Sequence, residues 1–271
     1  MRHSLILTPR VVCFVLIALF LLSISQRSSA QIWDGPAPMP TARLGAAGGV
    51  INNKIYVVGG NDSNSFSTLD TLEVYDPATN AWTTKASMPT PRQGAAAGVI
   101  NNKLYVVGGF AFGDNVNTLE VYDPATDIWE TKASMPTARA MLGVAVVNNL
   151  LYAIGGNSSS GPVNNVEVYD PTNDSWTTKA PMTTARWGVA IGAIGNLIYV
   201  AGGRGSTITF NNLEVYDTTS NSWATKANLP TARFVASGGV IGGLFYVAGG
   251  AQSSGAPFTG VLEVYDPIGN S

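Results

Sequence analysis

One unit is repeated five times in this chain, and this repetition restricts the possible folds more than any other feature. The segment MPTAR recurs with small changes, and successive copies are 49, 47, 47 and 47 residues apart. A fixed period of this length is typical of architectures in which small supersecondary units stack on one another. The copies begin at Met39, Met88, Met135, Met182 and Leu229.

Three further signals recur in register within the unit. A glycine pair is found at Gly59–Gly60, Gly108–Gly109, Gly155–Gly156, Gly202–Gly203 and Gly249–Gly250. The tyrosine of an EVYD segment follows at Tyr75, Tyr122, Tyr169, Tyr216 and Tyr265. A tryptophan lies six residues before each MPTAR-like segment, at Trp33, Trp82, Trp129, Trp176 and Trp223.

The pattern within one unit predicts four short strands. In the first copy these are residues 46–51, 54–58, 72–75 and 81–85. The first range has small apolar residues, and the second has β-branched and aromatic residues. The third alternates apolar and polar residues, and the fourth is centred on a tryptophan. Asn52 and Asn53 predict a tight turn, because asparagine tolerates positive φ. The glycine pair ends the second strand at a point where a side chain would block a close backbone approach.

A single four-stranded sheet of this size cannot bury both of its faces, whereas copies stacked around an axis can. The sequence therefore predicts an all-β propeller of five four-stranded blades. The glycine pair, the EVYD tyrosine and the spaced tryptophan closely resemble the kelch-repeat family, and the resemblance covers residues 33–271. Trp33 has the offset of a fourth strand that lacks its own blade, so we expect it to complete the last blade.

The N-terminus has the features of a secretory signal. Basic residues precede an apolar run over residues 11–25, and Ser28 and Ala30 suit a cleavage site. We therefore expect a signal peptide over residues 1–30 and one propeller domain over residues 31–271 that is secreted, periplasmic or at the cell surface. Cleavage would remove Cys13 and His3, the single cysteine and the single histidine.

Composition and charge limit the expected partners. The net charge of −2 indicates neither a nucleic-acid groove nor a basic membrane surface. With no thiol or imidazole in the mature chain, we expect no metal site, no cofactor and no catalytic residue. We further expect a monomer without a membrane span after cleavage.

Each unit carries one arginine, and this set has two interpretations. The arginines could pair with the glutamate of EVYD and fix the blade, or they could gather at one mouth of the channel and bind an anion. The set consists of Arg43, Arg92, Arg139, Arg186 and Arg233.

Positions that differ between copies are the better candidates for a ligand site. The residue after each repeat arginine varies and includes Gln93, Trp187 and Phe234. The loops after the glycine pairs also vary and contain Phe110 and Arg204. In an up-and-down sheet both segments lie on the same face, so we expect these five residues near one end of the axis, where the aromatic rings could stack on a sugar or plug the channel.

These observations favour a non-catalytic extracellular module that binds an unknown protein or glycan through one face. A first alternative is a sugar-modifying enzyme that resembles the exported kelch-type N-acetylneuraminate epimerases, although no pair of carboxylates has a spacing that predicts an acid and base. A galactose-oxidase-like copper site is excluded without histidine and cysteine. A second alternative is a structural module of the cell surface.

Overall fold

The computed structural model describes residues 35–270, and this part of the chain is all β. The compact unit that carries the repeats spans Met39–Ser271, and a separate unit spans Met1–Pro38. Only residues 35–38 of the latter are described, and they form no helix or strand. Within residues 35–270 no helix is long and apolar enough to cross a membrane.

The strands follow one another at the repeat period. In chain order they are β1 Arg43–Leu44, β2 Ala47–Ile51, β3 Lys54–Val58, β4 Asn61–Asp62, β5 Leu72–Asp76, β6 Ala81–Lys85, β7 Ala96–Ile100, β8 Lys103–Val107, β9 Phe110–Ala111, β10 Asp114–Asn115, β11 Leu119–Asp123, β12 Ile128–Lys132, β13 Gly143–Val147, β14 Leu150–Ile154, β15 Asn157–Ser158, β16 Gly161–Pro162, β17 Val166–Asp170, β18 Ser175–Lys179, β19 Ala190–Ile194, β20 Leu197–Ala201, β21 Leu213–Asp217, β22 Ser222–Lys226, β23 Ser237–Ile241, β24 Leu244–Ala248 and β25 Leu262–Tyr265.

The longer strands form five antiparallel blades in the predicted order. Blades 1 to 4 are the four-stranded sheets β2-β3-β5-β6, β7-β8-β11-β12, β13-β14-β17-β18 and β19-β20-β21-β22. Blade 5 is β23-β24-β25, which is three strands within the described residues. The molecule is a β-propeller, as predicted, while the fourth strand expected around Trp33 lies outside the described residues and stays a prediction.

Each blade buries one face against the next blade along the chain. We call this the forward face and the opposite one the backward face. Tyr56, Val58 and Val74 of blade 1 pack against Leu104 and Val106 of blade 2, and equivalent residues form the other cores. The first strands β2, β7, β13, β19 and β23 also contact their neighbours in this order.

The repeated tryptophan connects its own blade to the preceding blade by a hydrogen bond. Trp129 lies with its ring centroid 5.2 Å from that of Tyr122 in its own blade, and its Nε1 donates a hydrogen bond to the carbonyl of Ala86 in blade 1 (2.8 Å). Trp176 and Trp223 make the same bond to the preceding blade. The tryptophan therefore combines burial of a large ring with one directed bond between blades.

The glycine pair makes a second contact between neighbouring blades. Gly109 donates its backbone N–H to the carbonyl of Arg139 in the next blade (3.0 Å), and Gly108 has a φ of 67°. A Cβ on Gly108 would lie 2.5 Å from the oxygen of Arg139, which real Cβ atoms do not approach. The close backbone approach inferred from the sequence is thus an approach of the neighbouring blade.

The forward face of blade 5 and the backward face of blade 1 have no such neighbour among the described residues. Ile241 of blade 5 is 69% exposed, whereas Ile51 at the same repeat position is 1% exposed. A Cβ on Gly239 would meet nothing within 4 Å, but on Gly49 it would touch Val99 of the next blade. Within residues 35–270, four interfaces between consecutive blades are formed, and these faces of blades 5 and 1 are not covered by another blade.

Blade 5 also has an open cavity where the other blades hold their tryptophan. This cavity, of about 250 Å³, is lined by residues that include Ala227, Leu229 and Tyr265. Ala227 and Tyr265 correspond to the alanine and tyrosine that contact Trp223 one blade earlier. A fourth-strand tryptophan would fill this cavity, which is the position predicted for Trp33.

Replacing Gly108 by alanine should be more destabilising than the same change at Gly249. Both residues have positive φ, 67° and 69°, so both variants incur the cost of about 1–2 kcal/mol for a left-handed alanine. Only the G108A variant adds a clash with a neighbouring blade, because the nearest atom to a Cβ on Gly249 is 3.5 Å away. We expect an additional loss of about 1–3 kcal/mol in the free energy of unfolding, measured by urea denaturation. Equal losses would contradict this role of the glycine pair.

Candidate functional site

The five repeat arginines lie inside the blades, each paired with the EVYD glutamate of its own blade. The guanidinium of Arg139 is 2.5 Å from Glu167, and its Nη2 donates to the carbonyl of Ala153 (3.0 Å). The corresponding pairs are Arg43–Glu73, Arg92–Glu120, Arg186–Glu214 and Arg233–Glu263. The arginine side chains are fully buried or nearly so, so they do not form an anion site at the channel mouth, and the structural interpretation holds.

Burial lowers the pKa of two of these arginines without neutralising them at ordinary pH. It lowers the pKa of Arg92 and of Arg186 to about 10, while the nearby glutamates oppose the shift. Both guanidinium groups therefore remain charged near pH 7. Each charge is matched within the blade, because a buried charge without a partner would be strongly unfavourable.

The residue after each arginine pairs with the residue after each glycine pair. Gln93 and Phe110 exchange two backbone hydrogen bonds (3.1 and 2.8 Å), and so do Trp187 and Arg204 (3.0 and 2.8 Å). The two divergent segments therefore lie on the same face, as expected. We call this face the loop face, which consists of residues 44, 93, 140, 187 and 234 with the loops 61–71, 110–118, 157–165, 204–212 and 251–261.

Three of the candidate side chains form one cluster on the loop face. The rings of Trp187 and Phe234 meet edge to face with centroids 5.1 Å apart. The guanidinium carbon of Arg204 lies 5.3 Å from the centroid of the Phe234 ring, within cation–π distance. Phe234 is buried beneath this contact, whereas Trp187 and Arg204 stay partly exposed. A ligand would therefore meet Trp187 and Arg204 rather than Phe234.

A cavity of about 280 Å³ opens beside Trp187, and the other two candidate ligand-binding residues also line it. Gln93 and Phe110 line this cavity together with Trp187. The remaining lining residues are Gly94, Asn115, Ala140, Met141 and Asn157. Two large aromatic rings and three side-chain amides thus surround a space without any ionisable side chain, which is the composition of a pocket for a neutral polar ligand.

A second hollow, wider and more open, lies between the loops of blades 4 and 5. It has a volume of about 610 Å³ and contains Arg204. Hydroxyl and amide groups of Thr207, Thr209, Gln252 and Ser253 also line it. The guanidinium of Arg204 makes no ion pair and no side-chain hydrogen bond within residues 35–270, unlike the five repeat arginines.

Met141 is a site residue that the sequence analysis did not single out. It has a φ of 54° at a position where blades 1, 2 and 4 have Gly45, Gly94 and Gly188. Val235, at the same position of blade 5, has a φ of 49°. Left-handed residues other than glycine cost free energy and concentrate at functional sites. Comparing the second residue after each repeat arginine could therefore have identified Met141 and Val235 from the sequence.

These left-handed residues form a chain of backbone hydrogen bonds around the axis. Each donates its N–H to the carbonyl of the equivalent residue one blade earlier: Gly94 to Gly45 (2.8 Å), Met141 to Gly94 (2.7 Å), Gly188 to Met141 (2.8 Å) and Val235 to Gly188 (2.7 Å). Gly94 and Met141 take part in these hydrogen bonds and also line the cavity. Part of the cavity wall is therefore backbone that is held in place by hydrogen bonds.

Two carboxylates outside the EVYD segments make contacts between blades. Asp127 accepts hydrogen bonds from the hydroxyl of Tyr122 (2.7 Å) and from the backbone N–H of Ala86 in the preceding blade (3.0 Å). Asp174 does the same with Tyr169 and Ala133. No cluster of three or more metal-ligating side chains occurs within residues 35–270.

Family models match most of the chain. Residues 15–186 match the model described as the KLHDC2/KLHL20/DRC7 kelch-repeats domain, and residues 185–230 match the kelch motif. The chain belongs to the kelch-repeat family. Among solved structures, the kelch chain is similar to one described as "Structure of YjhT", with a TM-score of 0.75 and 19% identity over 83% of this chain and 81% of that one. No curated protein matches the kelch chain. At this identity, the resemblance to YjhT shows the fold alone.

Replacing Asp127 by asparagine should preserve stability near pH 7, whereas alanine should reduce it. Asn221 and Asn270 make the same two hydrogen bonds in other blades, but alanine would lose both and would keep a φ of 58°. The backbone N–H of Ala86 and the Tyr122 hydroxyl lower the pKa of Asp127 below its ordinary value. Its contribution is therefore present above that value and is lost as pH falls through the lowered pKa.

The D127N variant should consequently unfold at a lower pH than the parent chain, as followed by tryptophan fluorescence during acid titration. A D127N variant as unstable as D127A at pH 7 would show that the negative charge itself is required.

Proposed function

We propose that this kelch propeller is a non-catalytic binding module, and that its ligand is a saccharide unit held on the loop face. The cavity beside Trp187 carries the proposal. It offers the aromatic rings of Trp187 and Phe110 to an apolar sugar face, and the amides of Gln93, Asn115 and Asn157 to hydroxyl groups. Aromatic rings with a few fixed polar groups give orientation as well as affinity.

The absence of ionisable groups from the lining of this cavity favours binding over catalysis. General acid–base chemistry requires a titratable side chain within hydrogen-bond reach of the substrate. None of the eight residues that line the cavity is titratable, and Asp127 and Asp174 are committed to contacts between blades. The enzyme alternative therefore has no supporting observation at this site.

An exported location is part of the same proposal. The basic start, the apolar run and the small residues at 28 and 30 favour secretion, and an extracellular glycan would be accessible there. Divergent loops on a repeated frame are how repeat proteins present a recognition surface. A protein partner would use the same loops, with Arg204 as its one unpaired guanidinium in the described part of the loop face.

The W187A and F110A variants should each lose at least tenfold in affinity for whichever glycan the parent chain binds on a broad glycan panel, because each removes a ring from the cavity. A tenfold loss corresponds to about 1.4 kcal/mol, which is within the range of an aromatic contact. Ile128→Ala is the matched control, since Ile128 is exposed on the fourth strand of blade 2, away from the cavity. Binding that is unchanged in W187A, or no binding to any glycan, would contradict the saccharide proposal.

A further inference from the structure

We propose that the open hollow between the loops of blades 4 and 5 binds a tetrahedral oxyanion, the sulfate or phosphate ester group of a ligand, with Arg204 as its charged partner. The cavity beside Trp187 is a separate space, because Arg204 does not line it. The oxyanion site therefore does not rest on the proposed saccharide ligand. The observation behind it is a guanidinium without an acidic partner within residues 35–270.

Arg204 departs from the repeat pattern in sequence and in surroundings. The five repeat arginines are buried and each is paired with a glutamate, whereas Arg204 is partly exposed and has no such pair in the described part of the chain. Its charge is therefore not needed to hold a blade together and is available to a ligand. The residues at the same position of the other blades are neutral: Asn61, Phe110, Asn157 and Ala251.

Contacts within the loop face hold Arg204 in position without using its hydrogen-bond donors. Its guanidinium carbon lies over the ring of Phe234, 5.3 Å from the centroid, and its backbone exchanges two hydrogen bonds with Trp187. A cation–π contact supplies no acceptor oxygen, so the N–H groups of the guanidinium keep their capacity to donate. A cation that is already positioned loses little freedom when a ligand binds.

Neutral donors from three segments of the chain line the rest of the hollow. They come from the blade 4 loop, from the segment that precedes Arg233, and from the blade 5 loop, so they surround the space instead of lying along one side. None of their side chains makes a hydrogen bond within residues 35–270. The set is Thr207, Thr209, Thr231, Gln252, Ser253 and Ser254.

Thr231 differs from its equivalents in a way that favours this site. In blades 1 to 3 the same threonine donates its hydroxyl to the glutamate of its own blade, at 2.8, 2.7 and 2.6 Å. Thr231 makes no such bond and lines the hollow. A hydroxyl that stabilises the blade elsewhere is therefore available to a ligand here.

This set of donors suits a tetrahedral oxyanion better than a carboxylate. A guanidinium can donate two parallel hydrogen bonds to two oxygens of either group. An ester of sulfate or phosphate has a third outer oxygen outside that plane, and the hydroxyls of the other segments can rotate to donate to it. No aspartate or glutamate lines the hollow, so no like charge opposes the anion.

The test is a titration of the full-length, 15N-labelled chain at low ionic strength, followed by nuclear magnetic resonance. The probes are methyl sulfate, methyl phosphate and acetate, which present the anionic group without a sugar. We expect saturable shifts of the backbone amides of Arg204, Thr207 and Ser253 with at least one of the two esters, and at least fivefold weaker binding of acetate. The ester that binds more tightly identifies the source of the oxyanion.

Variants of the charged group should separate a fixed site from general attraction to a cation. R204Q should weaken ester binding at least tenfold, and R204K at least fivefold, because an ammonium lacks the planar pair of donors. S253A should cause a smaller loss, of about twofold to fivefold, since it removes one neutral donor. K85Q is the matched control and should bind as the parent does, because it removes the same charge from an exposed residue of β6.

Three outcomes would overturn the proposal. They are no saturable binding of either ester, acetate binding as tightly as the esters, or equal losses in R204Q and K85Q. The F110A variant keeps the two proposals distinct: it should lose glycan affinity and still bind the ester as the parent does. Loss of ester binding in F110A would show that the hollow is not a separate site.

Discussion

The buried arginine–glutamate pair is the interaction on which each blade depends. The arginine side chain binds the glutamate of the third strand and carbonyls at the end of the second strand, as Arg43 does with Glu73 and with the carbonyl of Gly59. The backbone carbonyl of the same residue, in every blade after the first, accepts the N–H of a glycine in the preceding blade. One residue thus organises its own sheet and joins it to a neighbour. Removing one member of such a pair costs about 3–5 kcal/mol, because the other charge stays buried.

The variable surface is positioned by this constant pair. Gln93, Trp187 and Phe234 each follow a repeat arginine directly, so their backbone is fixed at the axis end of a blade while their side chains are free to differ. The glycine pair fixes the start of each facing loop in the same way. The buried arginine therefore stabilises the blade, while the residue that follows it contributes to the variable surface. The loop face can change in sequence without loss of the blade core.

The repeat pattern was sufficient to predict the longer strands, the blades and the common face of the divergent segments, because each depends on local period and on up-and-down connections. Burial of the repeat arginines was left open, since a charge in every copy suits either a pair or an anion site. Asn115 and Asn157 were missed because they are ordinary residue types in variable loops, and Met141 because its position was not compared with the glycines of the other repeats. The faces of blades 1 and 5 that no blade covers within residues 35–270 were not expected either, because the number of repeats does not determine the rotation from one blade to the next.

The hydrogen bonds around the axis all run in one direction, and this makes the row of blades polar. The side of blade 1 presents a vacant donor and the side of blade 5 a vacant acceptor, within the described residues. The two ends are therefore chemically unlike, in the way that the ends of a helix are. A proline at the left-handed position would break the row, because its ring fixes φ near −65° and removes the N–H that bonds the preceding blade. Asymmetry of this kind gives each blade a single orientation relative to its neighbours.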